Sequence, residues 1–249
     1  MPGSPDVTTQ TGSKPMGLLD HLEELRKRIF YSLIAVGVGA VGGFFVAQRV
    51  LDLLTRPVGN LVFLSPSEAL VVQLKVALVA GTLVVSPVVF YQFWRFVRPA
   101  LRRNEAKYVT WAVTLSTLFF LGGVAFAYFI MVPFAMKFLL SWESEKLHAM
   151  ISISNYVNTV GAFLLATGLI FQMPVVIFFL TKLRVVTPRL LLKGQRVAIV
   201  VIFIVAAIVS PPDVFSQVVM AVPMLVLFYL SLLGSFLAAG RRRAEEPRE

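Results

Sequence analysis

Residues 108–132 read YVTWAVTLSTLFFLGGVAFAYFIMV, an apolar stretch without one charged side chain. A helix needs about 20 consecutive, mostly apolar residues to cross the roughly 30 Å hydrocarbon core of a bilayer, so this stretch predicts a membrane span. Working outward, residues 29–50, 69–93, 156–181, 197–210 and 214–239 form five further apolar blocks, and the short segments between them hold nearly all the charge. Over 249 residues, 57 % are apolar and 14 % charged, above the roughly 45–50 % apolar content of soluble domains. The expected fold class is all-α: a polytopic membrane protein with six transmembrane helices.

The edges of these blocks refine the picture. Residues 1–16 are rich in Pro, Gly, Ser and Thr and predict a disordered leader; residues 17–239 form the helical domain and residues 240–249 a charged tail. Leu18, Leu19, Leu22 and Leu25 give residues 17–28 one apolar side, which suits a helix lying along the membrane surface before the first span. The 29–50 block follows Asp20, Glu23 and Glu24 and is too long and too far from the N-terminus for a signal-peptide core, so it reads as a retained helix. Residues 197–210 are short for a crossing, and Pro211 and Pro212 stop them, so this pair of helices is expected to thin the bilayer locally. Pro87, Pro174 and Pro223 each remove an intrahelical hydrogen bond and should bend their helices into a concave bundle. Leu61, Val62, Phe63 and Leu64 suggest a re-entrant or surface-lying piece after span one. Trp94, Trp111 and Trp142 lie near span ends, as interfacial anchors do.

Charge sets the orientation. Lys14, Arg26, Lys27 and Arg28 precede span one; Arg95, Arg98, Arg102, Arg103 and Lys107 follow span two; Lys182, Arg184, Arg189, Lys193 and Arg196 follow span four; Arg241, Arg242, Arg243 and Arg248 end the chain. Against these eighteen, the opposite side carries four, Arg49, Arg56, Lys137 and Lys146. By the positive-inside rule both termini are expected in the cytoplasm. The net charge of +10 is thereby assigned to topology, and no nucleic-acid partner is expected. With no cysteine, and His21 and His148 as the two histidines, thiol chemistry is excluded and neither a metal nor a cofactor is expected.

The basic side also holds acids at Asp20, Glu23, Glu24 and Glu105. One reading is local pairing: Glu24 with Arg28 at i, i+4, worth about 0.2–0.5 kcal/mol, and Glu105 with Arg102. The other makes Glu24 and Glu105 an acceptor site for cationic side chains at the membrane surface. A guanidinium binds a planar carboxylate through two parallel hydrogen bonds, so two separated carboxylates suit a ligand carrying two arginines. Spacing leaves both readings open. Lys75, charged within span two, marks function, a partner or a water-filled cavity, or else snorkels to the interface. Gln73 and Gln217 read as helix-packing contacts.

Residues 20–26 read DHLEELR, 65–75 SPSEALVVQLK, 91–105 YQFWRFVRPALRRNE and 211–217 PPDVFSQ. These four segments, in this order, resemble the TatC family, whose first span begins with a His-Leu-x-Glu-Leu-Arg motif, and the similarity covers about residues 17–239. The resemblance implies a receptor for twin-arginine signal peptides in a prokaryotic cell (inner) membrane. Such a protein recruits single-span TatA- and TatB-like subunits, sits among lipid as a homo- or hetero-oligomer, and passes folded cargo driven by the proton-motive force. Carried over by motif, Glu24 and Glu105 contact the arginine pair, His21 and Arg26 flank them, and Phe93, Trp94, Phe96 and Pro99 shape a second wall. Pro57, Glu68, Pro211, Pro212, Asp213 and Gln217 match positions that are structural or partner-related. Two departures stand out. Gln172 occupies a place where relatives often carry a glutamate before a Met-Pro or Val-Pro pair, which disfavours a proton relay there. Tyr229 replaces a common acid and receives no catalytic role.

Rival functions fit less well. A secondary solute transporter or channel gathers ionisable or helix-breaking features near the midplane, whereas the notable acids here lie at the cytoplasmic surface, and no repeat of fixed period is visible. An intramembrane enzyme needs two acids, or a Ser and His, at one depth, and the sequence offers neither, so no enzymatic activity is expected.

Overall fold

A computed structural model of the chain describes residues 18–58, 61–100, 109–141, 150–183, 185–210 and 213–245. They form helices α1 (Leu18–Thr55), α2 (Pro66–Val97) with a 3-10 turn at Arg98–Ala100, α3 (Val109–Phe126), a π turn at Ala127–Met131, α4 (Val132–Leu140), α5 (Ile153–Ile170), α6 (Met173–Lys182), α7 (Pro188–Val209) and α8 (Val214–Glu245). Six helical units among the described residues are long and apolar enough to cross a membrane: Leu19–Thr55, Pro66–Val97, Val109–Leu140, Ile153–Lys182, Pro188–Val209 and Val214–Phe236. The all-α, six-span expectation holds.

Several boundaries differ from the sequence reading, each for a local reason. Among the described residues no separate surface helix precedes span one. Residues 18–55 form one continuous helix, because Glu, Leu, Lys and Arg are strong helix formers and nothing between Leu18 and Arg28 breaks it. Pro133 does not end the third span: the π turn precedes it, the Val132 N–H bonds back to the Ala127 carbonyl, and the helix continues through the proline as α4. The fourth span is interrupted at Phe171 and Gln172, so Pro174 opens α6 rather than bending a continuous helix. The fifth helix begins at Pro188, ahead of the expected start at Val197, with Thr187 Oγ1 accepting from the Leu190 N–H (3.3 Å) as its cap. The Leu61–Leu64 piece is extended rather than re-entrant. Val62 N–H donates to the Ile151 carbonyl and its own carbonyl accepts from Ile153 N–H, both at 3.1 Å.

Packing centres on α5, whose Tyr156, Val157, Val160, Phe163 and Leu164 bury against Val72 and Val76 of α2, Met131 and Val132, Ala206 of α7, and Met220 and Met224 of α8. At the α4–α5 end, Tyr156 donates to the Leu54 carbonyl (2.6 Å) and Tyr128 to the Leu53 carbonyl (2.7 Å), satisfying acceptors that the last turn of α1 leaves without intrahelical donors. At the other end, Thr181 of α6 and Ser235 of α8 share a hydrogen bond of 2.8 Å.

The closest helix approach is between α1 and α2. A Cβ on Gly43 would lie 2.4 Å from the Ala77 carbonyl oxygen, and one on Gly81 would lie 2.3 Å from the Gly39 carbonyl carbon. Gly39 and Gly43 on one helix and Ala77 and Gly81 on the other form two small-xxx-small pairs, the pattern that lets membrane helices touch backbone to backbone. This crossing sets the register of everything towards the N-terminal end of α1.

Candidate functional site

The first turns of α1 run antiparallel to the last turns of α2. His21, Glu24 and Arg28 recur at i, i+3 and i+7, which keeps them on one helix face, and that face meets α2. The His21 ring stacks on Phe96, with centroids 4.3 Å apart and planes 20° apart. Arg28 Nη1 donates to Gln92 Oε1 at 3.1 Å, its Nε donates to Glu24 Oε1 at 2.8 Å, and its Nη2 donates to the same oxygen. The pairs Gly43–Ala77, Gly39–Gly81 and Arg28–Gln92 step along one antiparallel register. On that register Glu24 stands level with Phe96.

The local-pairing reading of Glu24 is thus realised, yet it leaves chemistry available. Both Arg28 bonds fall on Oε1; Oε2 takes no hydrogen bond among the described residues, and the Glu24 side chain is 29 % exposed. An i, i+4 ion pair contributes about 0.2–0.5 kcal/mol. A guanidinium offering two parallel donors can therefore displace it at small cost, while Gln92 keeps hold of Arg28.

Around this carboxylate, Phe93 is exposed, Pro99 is exposed in the 3-10 turn, Phe96 is partly covered, and Arg26 faces solvent. Trp94 is different. It is 3 % exposed, donates Nε1–H to Ser116 Oγ at 2.8 Å and packs on Phe179 at 4.1 Å between ring centroids. It is neither a surface wall nor an interfacial anchor but a brace joining α2 to α3 and α6. Phe93 and Trp94 are neighbours on α2, yet Phe93 faces outward and Trp94 turns into the bundle. Trp111, by contrast, is exposed in the first turn of α3. Glu105, Arg102, Trp142, Pro211 and Pro212 lie outside the described residues.

The remaining candidates sit elsewhere. Gln172 is buried in the break between α5 and α6, and its Nε2 donates to the Ser116 carbonyl at 2.9 Å; with Trp94 it makes Ser116 a junction of three helices. Lys75 is partly exposed on α2, with no hydrogen-bond or ion-pair partner among the described residues. Glu68 ties three segments at the α4–α5 end: Oε1 accepts from Ser152 Oγ (2.5 Å) and Ser154 N–H (2.9 Å), and Oε2 from Leu64 N–H (2.6 Å). Pro57 lies in the turn after α1. Asp213 caps α8 by accepting the Ser216 N–H at 2.6 Å, and its buried Oδ2, with Ser210 Oγ and Ser216 Oγ, has no partner among the described residues. Gln217 donates to the Phe203 carbonyl at 3.0 Å, joining α8 to α7, as a packing contact should.

Comparison with known proteins decides the family. Residues 20–223 match the family model for TatC, described as Sec-independent protein translocase protein. The chain belongs to the TatC family. It is similar to the TatC of Desulforapulum autotrophicum, at 37 % identity over 91 % of this chain and 87 % of that protein, and to the TatC of Aquifex aeolicus, at 38 % over 92 % and 98 %. A solved structure described as the twin arginine translocase receptor TatC superposes with a TM-score of 0.78 at 38 % identity, covering 88 % of this chain and 99 % of that one. As in that TatC structure, the architecture is a multi-pass helical bundle.

For this TatC chain the sequence reading missed two features that shape the candidate site, Gln92 and the Gly39–Gly43 pair. Arg28 was seen as a partner of Glu24, but Gln92, which anchors it, lies 64 residues away, and no local pattern signals such a contact. The Gly39-x-x-x-Gly43 spacing that aligns the two helices was visible and would have pointed to α1–α2 contact.

Proposed function

We propose that this TatC chain is the signal-peptide receptor of a translocase that exports folded proteins, and that Glu24 with Glu105 takes the arginine pair of a twin-arginine signal peptide. The observation that carries the reading is the state of Glu24. It is held in place through one oxygen, offers the other, and stands beside the His21–Phe96 stack on the basic end of the bundle. The peptide's guanidinium replaces Arg28 on Glu24, and exposed Phe93 and Pro99 supply apolar surface for the residues that follow the arginines. On this reading both termini are cytoplasmic, the membrane is the prokaryotic inner membrane, and TatA- and TatB-like single-span subunits join the complex, with transport driven by the proton-motive force. The chain itself binds and makes no covalent bonds.

Titration of the purified protein with a twin-arginine peptide and its two-lysine variant tests this. Arginine-selective binding that is lost in Glu24→Gln plus Glu105→Gln is expected. Equal binding of both peptides, or binding unchanged by the double substitution, would refute it. The transporter alternative draws no support from Gln172, which is neutral and whose amide is committed to the Ser116 carbonyl.

A further inference from the structure

On the α1–α2 seam, beside but not including Glu24, lies a cavity of about 380 Å³ lined by Lys27, Arg28, Tyr31, Gln92 and Arg95. Every lining residue can donate hydrogen bonds, and no carboxylate lines it. Arg28 is pinned by Gln92 and Glu24 and keeps one N–H on each terminal nitrogen unused among the described residues. Gln92 spends its carbonyl oxygen on Arg28, which leaves its amide N–H groups as donors. Lys27 pairs with Glu23 at 3.0 Å on the exposed rim. Arg95 has no carboxylate partner among the described residues; it is held by Tyr91, whose hydroxyl accepts from Nη1 at 3.3 Å and whose ring centroid lies 5.9 Å from the guanidinium carbon. A donor-rich, cation-lined cavity of this kind is built for an anionic group with several acceptor oxygens.

Its surroundings indicate how that group arrives. Immediately along the outer faces of the two helices, Phe30, Leu33, Ile34 and Val88 are exposed, and Tyr31 and Tyr91 are exposed beside the cations. Tyrosines at such a level mark the membrane–water boundary, and the apolar residues beyond them face the hydrocarbon. A free anion would need the cavity alone, whereas a lipid uses both the cavity and the apolar strip. We propose that this cavity binds the phosphodiester headgroup of an anionic phospholipid, with Arg28 and Arg95 on the phosphate, Lys27 at its rim, and the acyl chains running along Phe30, Leu33 and Ile34. Basic pockets between membrane helices hold anionic headgroups in this manner. The assignment does not depend on Glu24 binding a guanidinium.

The test uses the full chain in detergent with added phosphatidylglycerol or phosphatidylcholine, and counts retained lipid by native mass spectrometry. Phosphatidylglycerol should be retained in preference to phosphatidylcholine. Lys27→Gln plus Arg95→Gln should weaken that retention by about fivefold for each cation removed, while Arg49→Gln at the opposite end should leave it unchanged. Both substituted positions are exposed, so unchanged thermal unfolding is the check that the variant is folded. Equal retention of the two lipids would overturn the proposal, as would no loss in the double variant. Displacement of the bound lipid by millimolar inorganic phosphate would also overturn it, because a free anion would then satisfy the site.

Discussion

Replacing Gly81 with alanine is expected to drive α1 away from α2. Packed carbon atoms sit about 3.5–4.0 Å apart, yet a Cβ at position 81 would lie 2.3 Å from the Gly39 carbonyl carbon and 2.4 Å from both the Ala40 nitrogen and the Gly39 oxygen. The shortfall exceeds about 1 Å. All three obstacles are backbone, so no side chain can rotate away and the helices themselves must separate. Overpacking of this kind costs about 1–3 kcal/mol, and the gain of about 1 kcal/mol from replacing glycine inside a helix offsets part of it. The net loss, up to about 2 kcal/mol, should lower the unfolding temperature in detergent by about 2–4 °C per kcal/mol. Gly37→Ala is the internal control, because its Cβ would meet nothing within 4 Å; it should unfold at or slightly above the wild-type temperature. The close-crossing account fails if Gly81→Ala melts with the wild type, or if Gly37→Ala loses as much.

Three further outcomes are expected. Trp94→Phe keeps an aromatic ring against Phe179 but removes the donor to Ser116 Oγ, and should cost about 1 kcal/mol in thermal unfolding. Glu68→Ala removes the acceptor of three hydrogen bonds that join the residue 61–64 strip, α2 and α5, and should make the 61–66 segment markedly more sensitive to limited proteolysis while leaving peptide binding at the other end intact. Arg28→Gln frees Glu24 of its competitor, and since the i, i+4 pair contributes about 0.2–0.5 kcal/mol, a twin-arginine peptide should bind up to about twofold tighter; weaker binding would mean that Arg28 helps to hold the ligand.

The number of spans was legible because each apolar block is close to the length a bilayer demands, and solvent, not tertiary contact, decides that. Helix ends were harder to read. Continuity of α1 back to Leu18 depends on the absence of a breaker, and the passage of the third span through Pro133 depends on a π turn that no residue pattern announces. In the candidate site, Glu24 and its Arg28 partner were readable from i, i+4 spacing, and the four family-like segments named the acids. What the chain could not disclose locally was Gln92 beneath Arg28 and Ser116 beneath Trp94 and Gln172, contacts that exist only once α1, α2, α3 and the α5–α6 break are packed.

The absence of cysteine from this chain permits a clean decisive measurement: single cysteines at positions 23 and 106, which leave Glu24 and Glu105 in place, labelled in sealed vesicles by a reagent that cannot cross the membrane, with and without a twin-arginine peptide. The receptor reading predicts that both positions react from the same side and that the twin-arginine peptide, but not its two-lysine counterpart, shields them. Reaction from opposite sides, or labelling indifferent to the peptide, would contradict it.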